Sequence, residues 1–266
     1  MMDFQDEFRG KTVVLTGAYG IFGTWIAEAF AAYGARLCLS GSSMIRLEAL
    51  AAKLAPTMVA PPLLVVADLT SEASIAELAA SVMEAWGAPD ILVNNAGVYP
   101  SGFLLDTSTP EWDRILGVNL RAPFILTREI ATLMVREGKK GVIINIGSGA
   151  ANRMRASSVP YCLSKAALDR LTKGYALELA EYGIRVNLIE PGFASGSVSN
   201  PLPEEHIRGM GGRIPLGRES GPKDTPNAIL YLCSEAASFI TGATLPVDGG
   251  NGAGIRAVYQ AKKHAL

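Results

Sequence analysis

The chain has 266 residues, with 24 Lys plus Arg against 25 Asp plus Glu, and a formal net charge of −1. Such a balance offers no basic field for nucleic acid. At 49% hydrophobic and 18% charged it is too apolar for disorder and can fill a large core without metal or disulfide staples.

Cys38, Cys162 and Cys233 are scattered, odd in number and form no CxxC pair, so they read as core thiols of a reduced protein. His206 and His264 have no ligand spacing around them, and no metal is expected. Met1–Gly10 carries Asp3, Asp6 and Glu7 before any apolar run, unlike a secretory leader, and no window approaches the ~18 apolar residues of a membrane span. These features predict a soluble, cytoplasmic protein with no membrane partner.

Short apolar runs alternate with longer amphipathic ones along the chain. Strands are expected at Thr12–Thr16, Arg36–Ser40, Leu63–Ala67, Asp90–Asn94, Val142–Gly147, Ile184–Glu190 and Ala243–Val247. Helices are expected at Ile21–Tyr33, Ser43–Leu54, Ser71–Trp86, Pro110 to about Glu137, Val159–Tyr182 and Thr225–Ser234. The alternation implies an α/β fold: one doubly wound domain of about seven parallel strands with helices on both faces. That domain spans 1–250, and 251–266 forms a C-terminal tail. Within it, residues 192–222 lack periodicity and are rich in Pro, Gly and Ser, which suggests a substrate lid.

Thr16-Gly17-Ala18-Tyr19-Gly20-Ile21-Phe22-Gly23 lies between the first strand and the first helix. Glycines there let a pyrophosphate approach the helix N-terminus, where free N–H groups and the dipole favour anions. The second strand runs into Gly41-Ser42-Ser43 with no acidic residue to hold the two ribose hydroxyls. The nearest basic residue is Arg46. The small hydroxyls favour NADP over NAD, although a plain strand-to-helix turn with Ser as N-cap would read the same way.

Tyr161 and Lys165 are four apart on an expected helix and share a face. Ser148 follows the fifth strand and precedes Tyr161 by thirteen residues. A nearby ammonium favours the phenolate, so Tyr161 becomes a usable acid or base toward a substrate oxygen. Ser148 would hold and polarise that oxygen, and Lys165 would also bond the nicotinamide ribose.

With these motifs the chain resembles the short-chain dehydrogenase/reductase family over about residues 8–250, in its compact single-domain branch, and is similar to ketoreductases of the 3-oxoacyl-carrier-protein reductase type. The resemblance implies a Rossmann-type domain. It assigns Asn119, in Val118-Asn119-Leu120, as a fourth catalytic residue that supports a relay water by bending its helix. It places Asn94-Asn95-Ala96-Gly97 at the cofactor, Asp68 and Leu69 at adenine, and Pro191, Gly192 and Ala194 at nicotinamide. Arg213–Arg218, Ile240-Thr241-Gly242 and Val247–Gly250 look like the family's C-terminal signature.

Two departures stand out. Ile21 occupies the place of the usual middle glycine, and the spacing Gly17-x-x-Gly20-x-x-Gly23 resembles the extended branch, whose further substrate domain this chain is too short to hold. Gly196 stands where many members carry a carboxamide-binding Thr, leaving Ser195, Ser197 or a backbone group as substitutes.

The reading is an NAD(P)-dependent oxidoreductase that interconverts a secondary alcohol and a ketone. The pocket expected from Ser148–Ala151, Pro100–Phe103, Tyr161 and the lid is mostly small and apolar and suits a neutral small molecule; Arg153, Arg155, Arg208 and Arg213 read as solvated rim charges. The resemblance implies a homodimer or homotetramer built on the helices around Asn119 and Tyr161. Two alternatives stay open. A catalytically silent NAD(P)-binding regulator should lack the Tyr or Lys, and an epimerase or lyase would turn over without net redox change.

Overall fold

The computed structural model describes residues 4, 6–196, 204–211 and 213–254. Seven strands form one parallel sheet: β1 (Thr12–Thr16), β2 (Arg36–Gly41), β3 (Leu63–Val66), β4 (Ile91–Asn94), β5 (Val142–Ile146), β6 (Arg185–Pro191) and β7 (Thr244–Val247), in the order β3-β2-β1-β4-β5-β6-β7. The helices are α1 (Ile21–Ala32), α2 (Met44–Leu54), α3 (Glu72–Trp86), α4 (Thr109–Leu116), α5 (Ala122–Arg136), α6 (Val159–Leu179), α7 (Glu204–Gly211) and α8 (Asp224–Cys233).

The apolar strands are explained by burial on both faces. Side chains alternate, so Val13 and Leu15 pack on one side and Val14 on the other; Ile91 and Val93 oppose Leu92 in the same way. The first layer holds Ile26 and Phe30 of α1, Leu47 of α2 and Ile229 of α8. The second holds Ile75 of α3, Ile130 of α5 and Ala176 of α6. Strand order reverses between β1 and β4, and the carboxyl ends on either side of that switch define the crevice where such sheets bind ligands.

Two differences from the sequence reading have local causes. The helix expected from Pro110 to about Glu137 is broken into α4, a π-helical turn Gly117–Arg121 and α5. Pro123 has no N–H to give the Asn119 carbonyl four residues back, so the helix widens there, with Ala122 N bonding the Gly117 carbonyl. Within 192–222, the eight residues of α7 form a helix that begins on Glu204 and Glu205, acidic side chains suited to its N-terminal dipole. Residues 197–203 and 212 of the expected lid, and 255–266 of the expected tail, lie outside the described residues.

Candidate active site

The glycine-rich turn leaves β1 at Gly17, which has φ +61°. A Cβ at Gly17 would stand 2.8 Å from Ala96 Cα, and one at Gly23 would stand 2.2 Å from the Gly17 carbonyl oxygen. Both positions therefore admit only glycine at this close approach. Asn95 fixes the turn from the side: its Nδ2 donates to the Thr16 and Gly17 carbonyls at 2.9 and 3.0 Å. Thr16 Oγ1 accepts from the Asn95 and Ala96 N–H groups at 3.1 Å each.

Helix α1 starts at Ile21 with Gly20 as N-cap and no side-chain cap. Thr24 N closes its first turn on Gly20 O at 2.8 Å. The N–H groups of Ile21 and Phe22 thus point from an uncapped helix start, an anion site in form. The altered spacing of the motif has not disturbed the turn: Ile21 sits inside the helix, where a side chain is tolerated.

At the end of β2, Tyr19 crosses over Gly41. A Cβ on Gly41 would lie 2.4 Å from Tyr19 Cε1. The Tyr19 hydroxyl is 2.7 Å from Ser42 Oγ and accepts the Ser42 N–H at 3.0 Å. The Arg46 guanidinium stacks on the Tyr19 ring, 4.9 Å from its centroid. Ser43 is the N-cap of α2 but makes no side-chain cap bond. Asp68 and Leu69 follow β3; the exposed Asp68 accepts from Thr70 N–H and hydroxyl at 2.9 and 2.7 Å, bonds that hold its carboxyl below the usual range.

Beyond the switch point, β4 and β5 deliver Asn94 and Asn145 to a buried network. Asn94 Nδ2 donates to Asn145 Oδ1 at 2.8 Å and to Thr127 Oγ1 at 3.0 Å, and Asn145 Nδ2 donates to Thr172 Oγ1 at 2.9 Å. This ties both strand ends to α5 and α6. Thr127 and Thr172 were not singled out by sequence reasoning, because a Thr on a helix face carries no spacing signal.

The four residues singled out for chemistry converge just past these strand ends. Asn119, fully buried in the π turn, grips the Val98 backbone: Nδ2 donates to Val98 O at 2.9 Å and Oδ1 accepts Val98 N–H at 2.8 Å. Its Nδ2 also reaches Ser164 Oγ at 3.1 Å. A Cβ on Gly97 would lie 3.4 Å from Asn119 Oδ1 and 3.6 Å from Lys165 Nζ. Lys165 is buried, donates to the Ile146 carbonyl at 2.7 Å, and sits 5.9 Å from the Tyr161 ring centroid. Ser148 Oγ accepts Ala150 N–H at 3.2 Å, opening a 3₁₀ turn Gly149–Asn152, and the Ser148 hydroxyl lies near enough to the Tyr161 phenol to favour its ionised form.

The comparisons decide the family. A family model described as enoyl-(acyl carrier protein) reductase matches residues 17–251. Sorbitol dehydrogenase of Cereibacter sphaeroides is 32% identical over 253 residues, covering 91% of this chain and 97% of the relative. The chain belongs to the short-chain dehydrogenase/reductase family.

Among other members, 3-oxoacyl-(acyl-carrier-protein) reductase FabG of Aquifex aeolicus is 34% identical over 244 residues, covering 92% of this chain and 98% of the relative. A crystal structure from Beutenbergia cavernae, provisionally assigned as an NAD(P)-dependent gluconate 5-dehydrogenase with NADP bound at low occupancy, has a TM-score of 0.84 at 32% identity and covers 92% of this chain and 98% of that one. The chain is an oxidoreductase of this NAD(P)-binding family. Its named relatives act on chemically unlike compounds at similar identity, so identity does not select a substrate.

Electrostatics at this short-chain dehydrogenase site differ from the sequence expectation in one respect. Burial pushes the Tyr161 phenol up to about 12, against opposing contributions from the Ser148 hydrogen bond and the Arg155 charge. Burial likewise brings Lys165 down to about 8. Desolvation, which disfavours the charged form, is the leading cause at both groups.

Pro191 and Gly192 close β6 against β7. A Cβ at Gly192 would stand 2.9 Å from Asp248 Cα, and Gly192 N donates to Val247 O at 2.8 Å. Ala194 is half-buried just beyond. At the position of the expected Thr, Gly196 has φ +89°. Ser195 N–H is bonded to Glu219 Oε2 at 2.8 Å, and Ser197 lies outside the described residues. Sequence reasoning missed Ser220: its N–H bonds Phe193 O at 2.8 Å while its Oγ is buried with no partner among the described residues.

Proposed function

We propose that this short-chain dehydrogenase reduces a ketone to a secondary alcohol with NADPH, using Ser148, Tyr161, Lys165 and Asn119. The observation that carries the reading is the convergence of these four residues at the carboxyl ends of β4 and β5, beside a turn whose glycines leave room for a dinucleotide. The glycine cradle and uncapped α1 terminus fit a pyrophosphate, with Asn95, Ala96 and Gly97 along its side and Pro191, Gly192 and Ala194 at the far end. Ser220 Oγ offers an unsatisfied hydroxyl for a carboxamide. When bound, the nicotinamide supplies the hydride.

The remaining chemistry belongs to the chain. Tyr161, held as the neutral phenol, donates its proton to the oxygen being reduced, which favours the reductive direction. Ser148 orients that oxygen. Lys165, still cationic at neutral pH, lies below Tyr161 and replenishes the proton path. Asn119 fixes the Val98 backbone, and Pro123 leaves its carbonyl without the usual helical donor, so a relay water has a place to bond.

NADP is preferred because Tyr19 occupies the space over Gly41 where an acidic side chain would otherwise project. Tyr19, Ser42 and Arg46 then present two hydroxyls and a cation to a 2′-phosphate. The test is parallel fluorescence titration with NADPH and NADH. We expect NADPH to bind at least tenfold more tightly, with most of that ratio lost in Arg46→Gln; equal binding would contradict it.

The α5 and α6 surfaces carry exposed Phe124, Leu163 and Leu177, which suits a homodimer or homotetramer. Three buried free thiols suit a reducing compartment such as the cytoplasm. No helix among the described residues is long and apolar enough to cross a membrane.

A further inference from the structure

The segments that follow β4 and precede α6 meet beside Tyr161. Tyr99 packs edge-on to the Tyr161 ring, centroids 4.5 Å apart at 74°. Its hydroxyl receives Arg155 Nη1 at 2.7 Å and lies 3.3 Å from Ser158 Oγ. The turn carrying Arg155 is fixed rather than loose. Ser158 N–H bonds the Arg155 carbonyl at 3.2 Å, and Ser157 O accepts Gly102 N–H at 2.8 Å. Ser157 has φ +62°, the one positive φ outside glycine among the described residues. A non-glycine residue held there is strained, and the surrounding bonds must offset that strain.

Arg155 is exposed, and what sets it apart is where it is held: on the hydroxyl of a tyrosine that packs against Tyr161. Among the described residues no carboxylate comes within ion-pair reach of Arg155, and its bond to Tyr99 uses one of five N–H donors. Tyr99 links it to the reacting group: Arg155 bonds the Tyr99 hydroxyl, and the Tyr99 ring packs on Tyr161. A guanidinium pinned by a tyrosine that packs on Tyr161, with donors to spare, matches a planar carboxylate.

We infer that Arg155, held in place by the Tyr99 hydroxyl, receives a carboxylate of the substrate, so that this enzyme acts on a small oxo acid rather than a neutral ketone. The inference rests on the oxidoreductase reading above and replaces the neutral substrate expected from the apolar lining. The charge would orient the carbonyl toward Ser148 and Tyr161 from one side, and a neutral analogue would forgo that charge-assisted pairing.

The test uses the full chain and matched pairs: 2-, 3- and 4-oxo acids and their methyl esters, assayed with NADPH. Calorimetric binding of malonate gives a readout independent of turnover. We expect one acid to exceed its ester at least tenfold in kcat/KM. That ratio should fall toward one in Arg155→Gln and return in part in Arg155→Lys, and malonate should bind at least tenfold more weakly to Arg155→Gln. Equal use of acid and ester, or a ratio unchanged in Arg155→Gln, overturns the inference while leaving the oxidoreductase reading intact. An inert panel with Arg155-dependent malonate binding would instead sustain the anion site and overturn the reading. An inert panel with malonate binding indifferent to Arg155 overturns the anion site.

Discussion

Lys165 is buried and Tyr161 partly so, and desolvation governs how each titrates. Because Lys165 is lowered to about 8, its charge is lost as pH rises through that value, whereas Tyr161, raised to about 12, stays protonated. Ketone reduction should therefore decline above about pH 8 with Lys165, and a pH–rate profile flat to pH 10 would oppose this. The same burial has a stability consequence. The unfolded chain keeps Lys165 protonated up to its ordinary 10.5, so stability should rise with pH between about 8 and 10.5, and below 8 the buried charge is a standing cost. That cost is on the order of 3 kcal/mol. Lys165→Met removes it and gives up about 1 kcal/mol for the bond to Ile146 O. The inactive variant should thus be more stable at pH 7 by about 2 kcal/mol in urea melts, with the advantage shrinking toward pH 10. A less stable variant would show that hydrogen bonding, not desolvation, dominates at this lysine. The identity and spacing of Ser148, Tyr161 and Lys165 were legible in the sequence. Their titration was not, because desolvation depends on what covers them, and the partner Tyr99 sits in a loop with no periodic signal.

At the scale of elements, the π turn depends on Pro123. Pro123→Ala restores the missing N–H, so a regular α-helix becomes possible and Asn119 is drawn off Val98. We expect kcat to fall roughly tenfold or more, as a misplaced positioning group costs on the order of 100-fold, with the melting temperature unchanged or raised. A variant that keeps kcat would detach the π turn from function. A second element-level pairing is Tyr19 with Gly41: Gly41→Asp puts a Cβ into the Tyr19 ring and should weaken both cofactors, while Gly41→Asp with Tyr19→Ser should shift preference toward NADH. Parallel titrations would read both variants, and unaltered preference in the double variant would contradict the pairing. The strands and most helices were legible to within a residue or two, since apolar runs and four-residue spacing mark them directly. The π turn was hidden because apolar spacing continues through Gly117–Arg121, although Pro123 was a visible breaker. Helix α7 was hidden because Gly209 and Gly211 lie within it and Pro201 and Pro203 precede it, a composition that reads as loop.

For the whole molecule, sheet order and the switch between β1 and β4 follow from right-handed crossovers, which is why the alternation of strand and helix along the chain was enough to imply the doubly wound sheet. Assembly was not implied in the same way, since it depends on which exposed apolar faces meet. Leu177 is 82% exposed on α6, and Phe124 on α5 stacks with Tyr175 at 6.3 Å. Light scattering should report a dimer or tetramer, and Leu177→Glu combined with Phe124→Glu should lower the mass. A wild-type monomer would contradict assembly through these helices. The Arg155–Tyr99 contact was also hidden, because Arg155 reads as an isolated charge until the fold brings Tyr99 beside it.

The most direct test of the central claim compares wild type and Tyr161→Phe in a single-turnover assay of NADPH oxidation by the oxo-acid and ester panel, with NADPH occupancy checked by fluorescence. The account predicts that both proteins bind NADPH, that wild type oxidises it, and that Tyr161→Phe does so at least 100-fold more slowly, in line with the ~10²–10⁴ expected of a general acid. A wild type that binds no nicotinamide cofactor, or a Tyr161→Phe variant that turns over at the wild-type rate, would contradict it.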